Sequence, residues 1–430
     1  MSEKIPKGWK RVKLGDVTKI NMGQSPKSEF YNTEGIGLPF LQGNRTFGYR
    51  FPKIDTYCSK PIKIAKNGEI LFSVRAPVGD INIANQDICI GRGLAALKAK
   101  NDNNIFLFYL LHFLKREILN SEGGTVFGSI NKKDLENLEI LLPPLPEQKA
   151  IASVLSSLDD KIDLLHRQNQ TLEKMAETLF REWFVKEFQR IEFNQNSAKN
   201  FKLDKFSRWI KGTIGGDWGK ESPQGDYIKK VYCIRGTDIA DLNTGLPLKT
   251  PQRFIKENKF KKIKPEEGDL IIEISGGTES QSTGRVTYIN SDVEKLFDLP
   301  IVFSNFCRLI KVRKPEYSFF LYCYIKHLYN SDEFFNLENG TSGIKNLDYK
   351  TLLFELEYPM PSKKLVLEFN EAVYPLFKKI NKNKQQIRTL GQLRDTLLPK
   401  LMSGEVRVMS RRDKTFVTPE STTNLSSIGA

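Results

Sequence analysis

Two stretches of the chain place apolar residues at alternating steps of four and three, the spacing typical of helices that pack along a shared seam. The seam positions of the first stretch are Ile151, Leu155, Leu158, Ile162, Leu165, Asn169, Leu172, Ala176, Leu179 and Trp183. Those of the second are Phe369, Val373, Leu376, Ile380, Asn383, Ile387, Leu390, Arg394, Leu397 and Leu401. The pattern predicts two long helices that form a coiled coil roughly 50 Å long at a rise of ~1.5 Å per residue.

One asparagine lies near the middle of each seam. If the helices run antiparallel, Asn169 lies opposite Asn383, and a buried polar pair of this kind can fix the register. Pro375 predicts a kink or a late start of the second helix, Pro399 predicts that it ends there, and Arg394 is unexpected in a dry seam. The alternative is that both helices are ordinary core elements of a larger globule.

The rest of the chain is a repeat of mixed structure. Short alternating or β-branched runs predict strands at Ile70–Val74, Ile81–Ala84, Leu270–Ile274, Arg285–Ile289 and Ile301–Leu309. Residues 40–44 are echoed at 233–237, residues 68–72 at 268–272, residues 130–138 at 344–352, and the helical stretches at an offset of 218. Each echo is weak alone, but their shared order indicates a duplicated unit.

The predicted fold class is α+β, with two tandem mixed domains and two long helices in the order domain, helix, domain, helix. The boundaries expected from these patterns are 1–142 for the first domain, 143–188 for the first helix, 189–358 for the second domain with a linker at 189–205, 359–408 for the second helix and 409–430 for a disordered tail.

Charge and cysteine usage narrow the class of protein. Lys and Arg total 66 against 51 Asp and Glu, a net charge of +15 that favours a polyanionic partner such as nucleic acid, although a basic protein without such a partner stays open. Five scattered cysteines, without a C-x-x-C pair, favour a reducing cytoplasm. Neither an apolar signal core nor a bilayer-length apolar run is found, so we expect no membrane association.

Several motifs resemble one family. Residues 142–148 (LPPLPEQ), 158–162 (LDDKI) and 179–184 (LFREWF) resemble the central conserved region of type I restriction–modification specificity subunits, and residues 397–405 (LLPKLMSGE) are similar to the distal one. Residues 5–9 (IPKGW) resemble the opening of a target-recognition domain. The likeness covers residues 1–408. The second helix departs at its start, where Ser362-Lys363-Lys364 replaces the usual Pro-x-Glu-Gln.

The resemblance implies a non-catalytic subunit that recognises double-stranded DNA. Each domain would read one half of a gapped target, and the helix pair would act as a ruler that sets the gap. Two methyltransferase subunits using S-adenosylmethionine and two restriction/translocase subunits using ATP and Mg would join it, so no cofactor is expected on this chain. Outward apolar residues would dock the methyltransferases, unless they pack on the neighbouring domain: Leu164, Phe180, Phe184 and Val185.

Base reading needs polar side chains on loops, and nearby glycines permit close approach of the backbone. The first-domain candidates are Gln42, Asn44, Arg45, Arg75, Arg92, Asn131, Lys132 and Lys133. The second-domain candidates are Arg235, Thr237, Asp238, Lys345 and Asn346. Any one of them can instead be an ordinary solvated loop residue; as a set, a third to a half are expected on the DNA face.

Catalytic motifs are missing from the sequence. It contains no G-x-x-x-x-G-K-[ST] phosphate loop, no Asn/Asp-Pro-Pro-aromatic motif and no glycine-rich S-adenosylmethionine loop, and its three histidines lack metal-ligand spacing. Two other functions stay open. The chain could be a coiled-coil scaffold or adaptor that binds protein, or a specificity subunit of a related phage-defence methylation system without a nuclease.

Overall fold

The computed structural model describes residues 5–120, 129–193, 200–245, 249–278, 281–340 and 344–408, without the side chains of 116–120 and 190–193. The tail predicted at 409–430 therefore lies outside the described residues, as does part of the predicted linker. The chain forms two compact units: residues 1–159 with 393–430, and residues 160–392. Each unit thus contains one mixed domain and a section of both long helices.

The first unit is built from short strands and a few helices. Its strands are β1 (Lys10–Lys13), β2 (Thr18–Met22), β3 (Tyr31–Asn32), β4 (Leu38–Leu41), β5 (Tyr57–Cys58), β6 (Ile64–Ala65), β7 (Ile70–Ser73), β8 (Ile81–Ile83), β9 (Ile88–Ile90), β10 (Leu94–Ala99) and β11 (Glu139–Leu142). Its helices are α1 (Leu14–Val17), α2 (Asn104–Asn120), α3 (Lys132–Asn137) and the beginning of α4 (Leu145–Phe180).

The second unit repeats this plan with additions. After α4, a π-helical turn at Arg181–Val185 leads into α5 (Lys186–Phe193). Its other helices are α6 (Gly236–Thr244), α7 (Glu257–Ile263), α8 (Ser291–Glu294), α9 (Ser318–Asn330) and most of α10 (Lys363–Met402). Its strands are β12 (Phe201–Asp204), β13 (Ile210–Gly215), β14 (Tyr227–Ile234), β15 (Gln252–Lys256), β16 (Leu270–Glu273), β17 (Ser275–Gly276), β18 (Val286–Tyr288), β19 (Ile301–Phe303), β20 (Cys307–Val312), β21 (Glu338–Asn339), β22 (Lys345–Leu347) and β23 (Tyr358–Pro361).

The sheets confirm the duplication. An antiparallel sheet in the order β2-β10-β7-β8 in the first unit matches one in the order β13-β20-β16-β18 in the second. The parallel pair β4 and β9 matches β14 and β19, and the antiparallel pair β1 and β11 matches β12 and β23. The central strands β7 and β16 are buried throughout, which is why their sequences are continuous apolar runs rather than alternating ones.

One echo in the sequence has the wrong register. The sequence echo aligns residues 130–138 with 344–352, but the backbone hydrogen bonds give a different alignment. Ile130 N donates to Val74 O (2.9 Å), and the corresponding bond in the second copy runs from Leu347 N to Ile274 O (3.0 Å). Ile130 therefore corresponds to Leu347, three residues after the Ile344 given by the echo. The echo of 40–44 at 233–237 is correct, because Leu41 O accepts from Gly91 N as Ile234 O accepts from Ser304 N. The echo of 68–72 at 268–272 is also correct, because Gly68 N donates to Ala84 O as Gly268 N donates to Ile289 O.

The second long helix is continuous where interruptions were predicted. It begins at Lys363 and runs through Pro375 and Pro399 to Met402, so the expectation of a late start or an early end is wrong. Tertiary packing offsets the lost backbone hydrogen bonds, since buried residues lie within two or three positions of each proline: Val373 and Phe377 around the first, Leu401 and Met402 after the second. None of the described helices carries an apolar stretch long enough to cross a bilayer.

Candidate nucleic-acid interface

Four loop segments of the first unit meet at one end of its sheets. Gly91 N donates to Leu41 O (2.8 Å), Gly93 N to Gln42 O (3.1 Å), and Val74 N to Gly93 O (2.9 Å). The bond from Ile130 N to Val74 O joins the fourth segment. We call residues 42–45, 75–77, 91–93 and 129–133 the first-domain edge; it carries all eight first-domain candidates.

Glycine is required where these segments touch. A Cβ added to Gly91 would lie 2.6 Å from Oε1 of Gln42, and one added to Gly93 would lie 2.6 Å from the Gln42 carbonyl oxygen. Ser25 Oγ donates to the same Oε1 (2.9 Å) and accepts from Arg92 N (3.2 Å). Glycine is therefore required here by packing between the loop segments, and the Gln42 NH₂ group forms no hydrogen bond with a described residue.

Some first-domain candidates have structural roles. Asn44 Nδ2 donates to Asp80 Oδ2 (2.7 Å), and Asn131 Oδ1 accepts from Asp134 N (3.1 Å) at the start of α3. Arg45 pairs with Asp55 (2.7 Å) and lowers the pKa of that carboxyl group by hydrogen bonding.

Three other candidates offer free cations. Arg75, Arg92 and Lys133 are exposed and form no salt bridge with any residue the structure describes. Lys132 lies 3.5 Å from Glu136 across one exposed helical turn, a weak pairing that leaves it available.

The second unit repeats the same hydrogen bonds. Ser304 N donates to Ile234 O (2.9 Å), Ile274 N to Phe306 O (2.9 Å), and Leu347 N to Ile274 O. Residues 235–237, 275–276, 304–306 and 345–347 form the second-domain edge. Arg235, Thr237, Lys345 and Asn346 lie on it, with Thr237 and Asn346 exposed and Lys345 held 3.1 Å from Glu338.

Asp238 does not fit the role proposed for it. Its side chain is 4% exposed and accepts two hydrogen bonds from the Arg235 guanidinium (2.8 and 3.0 Å) and one from Arg235 N (2.9 Å). A carboxylate this buried cannot reach a base edge, so the prediction for Asp238 is wrong. It holds Arg235 in place instead, at the N-terminus of α6.

Sequence reasoning missed several edge residues. Asn305 and Phe306 occupy the positions of Arg92 and Gly93, and Phe306 is 51% exposed. Ser275 corresponds to Arg75, since each forms a bridge to the fourth segment. The offset of 213 between Arg92 and Asn305 differs from the offsets of 193 and 200 upstream, so only the paired hydrogen bonds reveal the match.

The two asparagines of the seam are in contact. Asn383 Nδ2 donates to Asn169 Oδ1 (2.9 Å), and the two side chains are 0% and 2% exposed. Further along the second unit, the rings of Phe180 and Phe369 lie 5.9 Å apart, so α4 and α10 run antiparallel there. That the asparagine pair fixes the register stays a prediction.

The unexpected arginine of the seam has a buried partner. In the first unit, Arg394 Nη1 lies 3.0 Å from Oδ1 of Asp159, whose side chain is 3% exposed. Tyr109 and Tyr49 also donate to this carboxylate (2.6 and 2.8 Å), and Tyr49 contacts Arg394. Burial, reinforced by the Asp159 charge, raises the pKa of Tyr109 well above its usual value. The cluster ties the long helices to α2 and to the loop carrying Tyr49.

Two of the predicted docking residues are core residues. Phe180 and Phe184 are 1% and 0% exposed, and their rings pack on Phe320 of α9 at 6.2 and 5.2 Å. Helix α9 covers the side of α4 that a two-helix coil would leave open, so the docking assignment for this pair is wrong. Val185 is partly buried on the same core, and Leu164 is 40% exposed.

Comparisons with known proteins agree with this architecture. The sequence profile of the type I restriction modification DNA specificity domain matches residues 6–174. The MjaIX specificity subunit of Methanocaldococcus jannaschii, from a type I restriction enzyme, is 27% identical over 94% of this chain and 95% of its own length. The crystal structure of a type I restriction–modification S subunit from M. genitalium shares the fold, with a TM-score of 0.54 and 19% identity over 94% of this chain and 97% of that one.

A second archaeal relative matches only part of the chain. The M. jannaschii protein assigned as the MjaX specificity subunit of a type I restriction enzyme is 49% identical, and the match spans 40% of this chain and 41% of that protein. The matching specificity domain covers residues 6–174, and the likeness to type I restriction enzyme specificity subunits extends over more than nine-tenths of the chain.

Proposed function

We propose that this chain is the sequence-reading subunit of a type I restriction–modification complex that acts on double-stranded DNA. The observation that carries the proposal is the repeated edge: the same backbone hydrogen bonds bring four polar loop segments together in each domain. A protein that reads a target in two halves needs two such surfaces, with Arg, Lys, Asn and Gln available to base edges and phosphates.

The predicted division of the chain assigns a role to each part. Residues 1–142 read one half of the target, residues 189–358 read the other, and the helices within 143–188 and 359–408 set the spacing. The net charge of +15 supports binding to a polyanion of this kind. A gapped target is the expected consequence, because the half-sites must fall at a fixed helical phase of the duplex.

The chemistry belongs to partners in this proposal. Two methyltransferase subunits with S-adenosylmethionine modify adenine, two restriction/translocase subunits with ATP and Mg cleave, and Leu164 marks a docking position on α4. A reducing cytoplasm fits the five cysteines, which are all free and buried.

Mapping methylated adenines across the genome, with and without this gene, tests the function directly. We expect one gapped, two-part motif to lose its methylation when the gene is removed. An unchanged methylation map, together with failure of the purified chain to bind duplex DNA or heparin with or without a methyltransferase partner, would favour the scaffold alternative. Methylation without ATP-dependent cleavage would assign the chain to a modification system that lacks a nuclease.

A further inference from the structure

A basic cavity of about 290 Å³ lies in the second unit. Two aromatic side chains, Trp209 and Tyr317, line it with five cations: Arg208, Lys211, Arg313, Lys314 and Lys363. It lies beside the start of β13 and the end of β20, whereas the second-domain edge adjoins the opposite ends of these antiparallel strands. The DNA-reading surface proposed above therefore does not account for it.

Most of the positive charge around this cavity is uncompensated. Arg208 pairs with Asp204 at 3.2 Å. Among the described residues, Arg313 Nε and Nη2 donate to carbonyl oxygens alone, those of Arg208 (3.1 Å) and Ser207 (3.4 Å), which orient the guanidinium without neutralising it. The three lysines have no carboxylate within salt-bridge distance among the described residues. Lys211 still interacts with the charge of Glu266, so Arg313, Lys314 and Lys363 are the cations that no carboxylate of the described residues offsets.

The cavity wall also holds a donor without an acceptor. Trp209 is 2% exposed, and its indole N–H has no hydrogen-bond partner in the described part of the chain. The Trp209 ring packs edge-on against Tyr317 at 5.0 Å, and Arg208 lies over its face. That N–H is closed off from solvent, so it offers no contact to a ligand in the cavity, and the indole acts as an apolar part of the wall.

The first unit shows that the fold itself does not require this charge. Lys100 N donates to Val17 O (2.9 Å) just as Arg313 N donates to Trp209 O (2.9 Å), so the two places correspond. Val17 therefore occupies the position of Trp209, and Asn101 occupies the position of Lys314.

The two units also differ at the start of their long helices, α4 and α10. In the first unit Asn101 Nδ2 donates to Gln148 Oε1 (3.0 Å), so an uncharged residue at the start of the first long helix fills this place. In the second unit α10 begins with Lys363, the counterpart of Leu145, and Val366 stands in place of the glutamine. The departure from the motif at 362–364 thus supplies a cation to the cavity.

We propose that this cavity binds a small phosphate-bearing ligand with at least two negative charges, such as pyrophosphate or the phosphate chain of a nucleotide. A carboxylate brings one charge, whereas a phosphate monoester brings nearly two and three strong acceptor oxygens, which suits three uncompensated cations. The guanidinium fork of Arg313 matches phosphate geometry. The volume fits a compact ligand, near the lower end of small-molecule sites.

Calorimetric titration of the full chain with pyrophosphate, at constant ionic strength without other multivalent anions, tests the proposal. The variant Lys314→Gln/Lys363→Gln removes two exposed cations of the cavity, and Lys261→Gln/Lys262→Gln removes two exposed cations of α7 as a matched control. We expect the cavity variant to bind about tenfold more weakly or worse, and the control to stay within about twofold of the parent chain. Unchanged unfolding midpoints would show that both variants fold.

Three results would overturn the proposal. One is equal pyrophosphate affinity in the parent chain and the cavity variant. Another is binding of a glutamate-rich peptide in place of pyrophosphate. The third is a parallel loss of duplex-DNA affinity in the cavity variant, which would reassign the cavity to the nucleic-acid backbone. Loss of pyrophosphate binding with duplex affinity retained supports the site as stated, whether or not the DNA-reading role is correct.

Discussion

Asn383 donates a hydrogen bond to Asn169 between two long helices, but only half of this amide pair is satisfied. The Nδ2 of Asn169 and the Oδ1 of Asn383 find no partner among the described residues, although both side chains are buried. Such a pair contributes little net stability and more to the choice of register, because any shift would bury two isolated amides.

The register role can be measured by replacing the pair. Asn169→Leu alone leaves Asn383 buried without its partner and should lower the free energy of unfolding by about 1–3 kcal/mol. The double variant Asn169→Leu/Asn383→Leu should recover that loss or exceed the parent chain, since both buried amides are gone. Urea unfolding monitors both; a double variant no more stable than the singles would refute the assignment.

The Asp159–Arg394 pair in the first unit should behave as a buried ion pair. Arg394→Met leaves the buried Asp159 carboxylate without its counter-ion and should cost about 3–5 kcal/mol, and Asp159→Asn should cost somewhat less, because Arg394 keeps its contact with Asp395. Asp395→Asn is the matched control, because that carboxylate also contacts Arg394 but is 66% exposed, and it should cost less than about 1 kcal/mol. Equal losses in Asp159→Asn and Asp395→Asn would mean that burial does not matter here.

The two edges should govern different halves of the target. Arg92→Ala should relax base preference in one half-site and Asn305→Ala in the other, each by about 1–3 kcal/mol of discrimination if the side chain reads a base. Selection of bound sequences from a random duplex pool, with the methyltransferase subunits present, separates the halves. A variant that alters both halves equally would contradict independent reading.

Substituting Arg75 and Lys132 together tests the electrostatic part of the first-domain edge. Both side chains are exposed, so Arg75→Gln/Lys132→Gln should fold normally, weaken duplex binding and lower the salt dependence of affinity by roughly one to two counterions. Fluorescence anisotropy over a series of salt concentrations measures both. Unchanged affinity near physiological salt would remove this edge from the DNA-binding surface.

His112 should make the first unit sensitive to acid. Burial, followed by the charge of Arg394, lowers the pKa of His112 to about 4. Between its ordinary value of about 6.5 and that value, the unfolded chain binds a proton that the folded chain does not, so stability falls as the pH falls through this window. His112→Gln should remove that part of the slope, which thermal unfolding from pH 7 to pH 4 would detect as a smaller decrease than in the parent chain.

The long helices could be predicted from a periodic apolar pattern, the central strands from short continuous apolar runs, and the repeat from sequence echoes in a shared order. Asn169 and Asn383 were paired by counting along two such patterns. Phe180 and Phe184 were misjudged because a two-helix pattern contains no information about a third helix, and α9 covers them. Asn305 escaped notice because loop insertions change the offset between the copies, and Asp238 because a loop sequence does not reveal which carboxylate faces inward.

Both junctions between the compact units lie inside helices, at Asp159–Asp160 and at Gln392–Leu393, and the described residues at either end of the chain, from 5 and up to 408, belong to the first unit. The second unit is therefore one uninterrupted insert in the gene. Recombination at the two junctions would exchange that insert whole, without cutting through a sheet or an edge, provided that the heptad phase of both helices is kept. If each domain reads one half of a target, as proposed, such an exchange gives a route to new target combinations in a single genetic event while the amino-terminal domain stays unaltered.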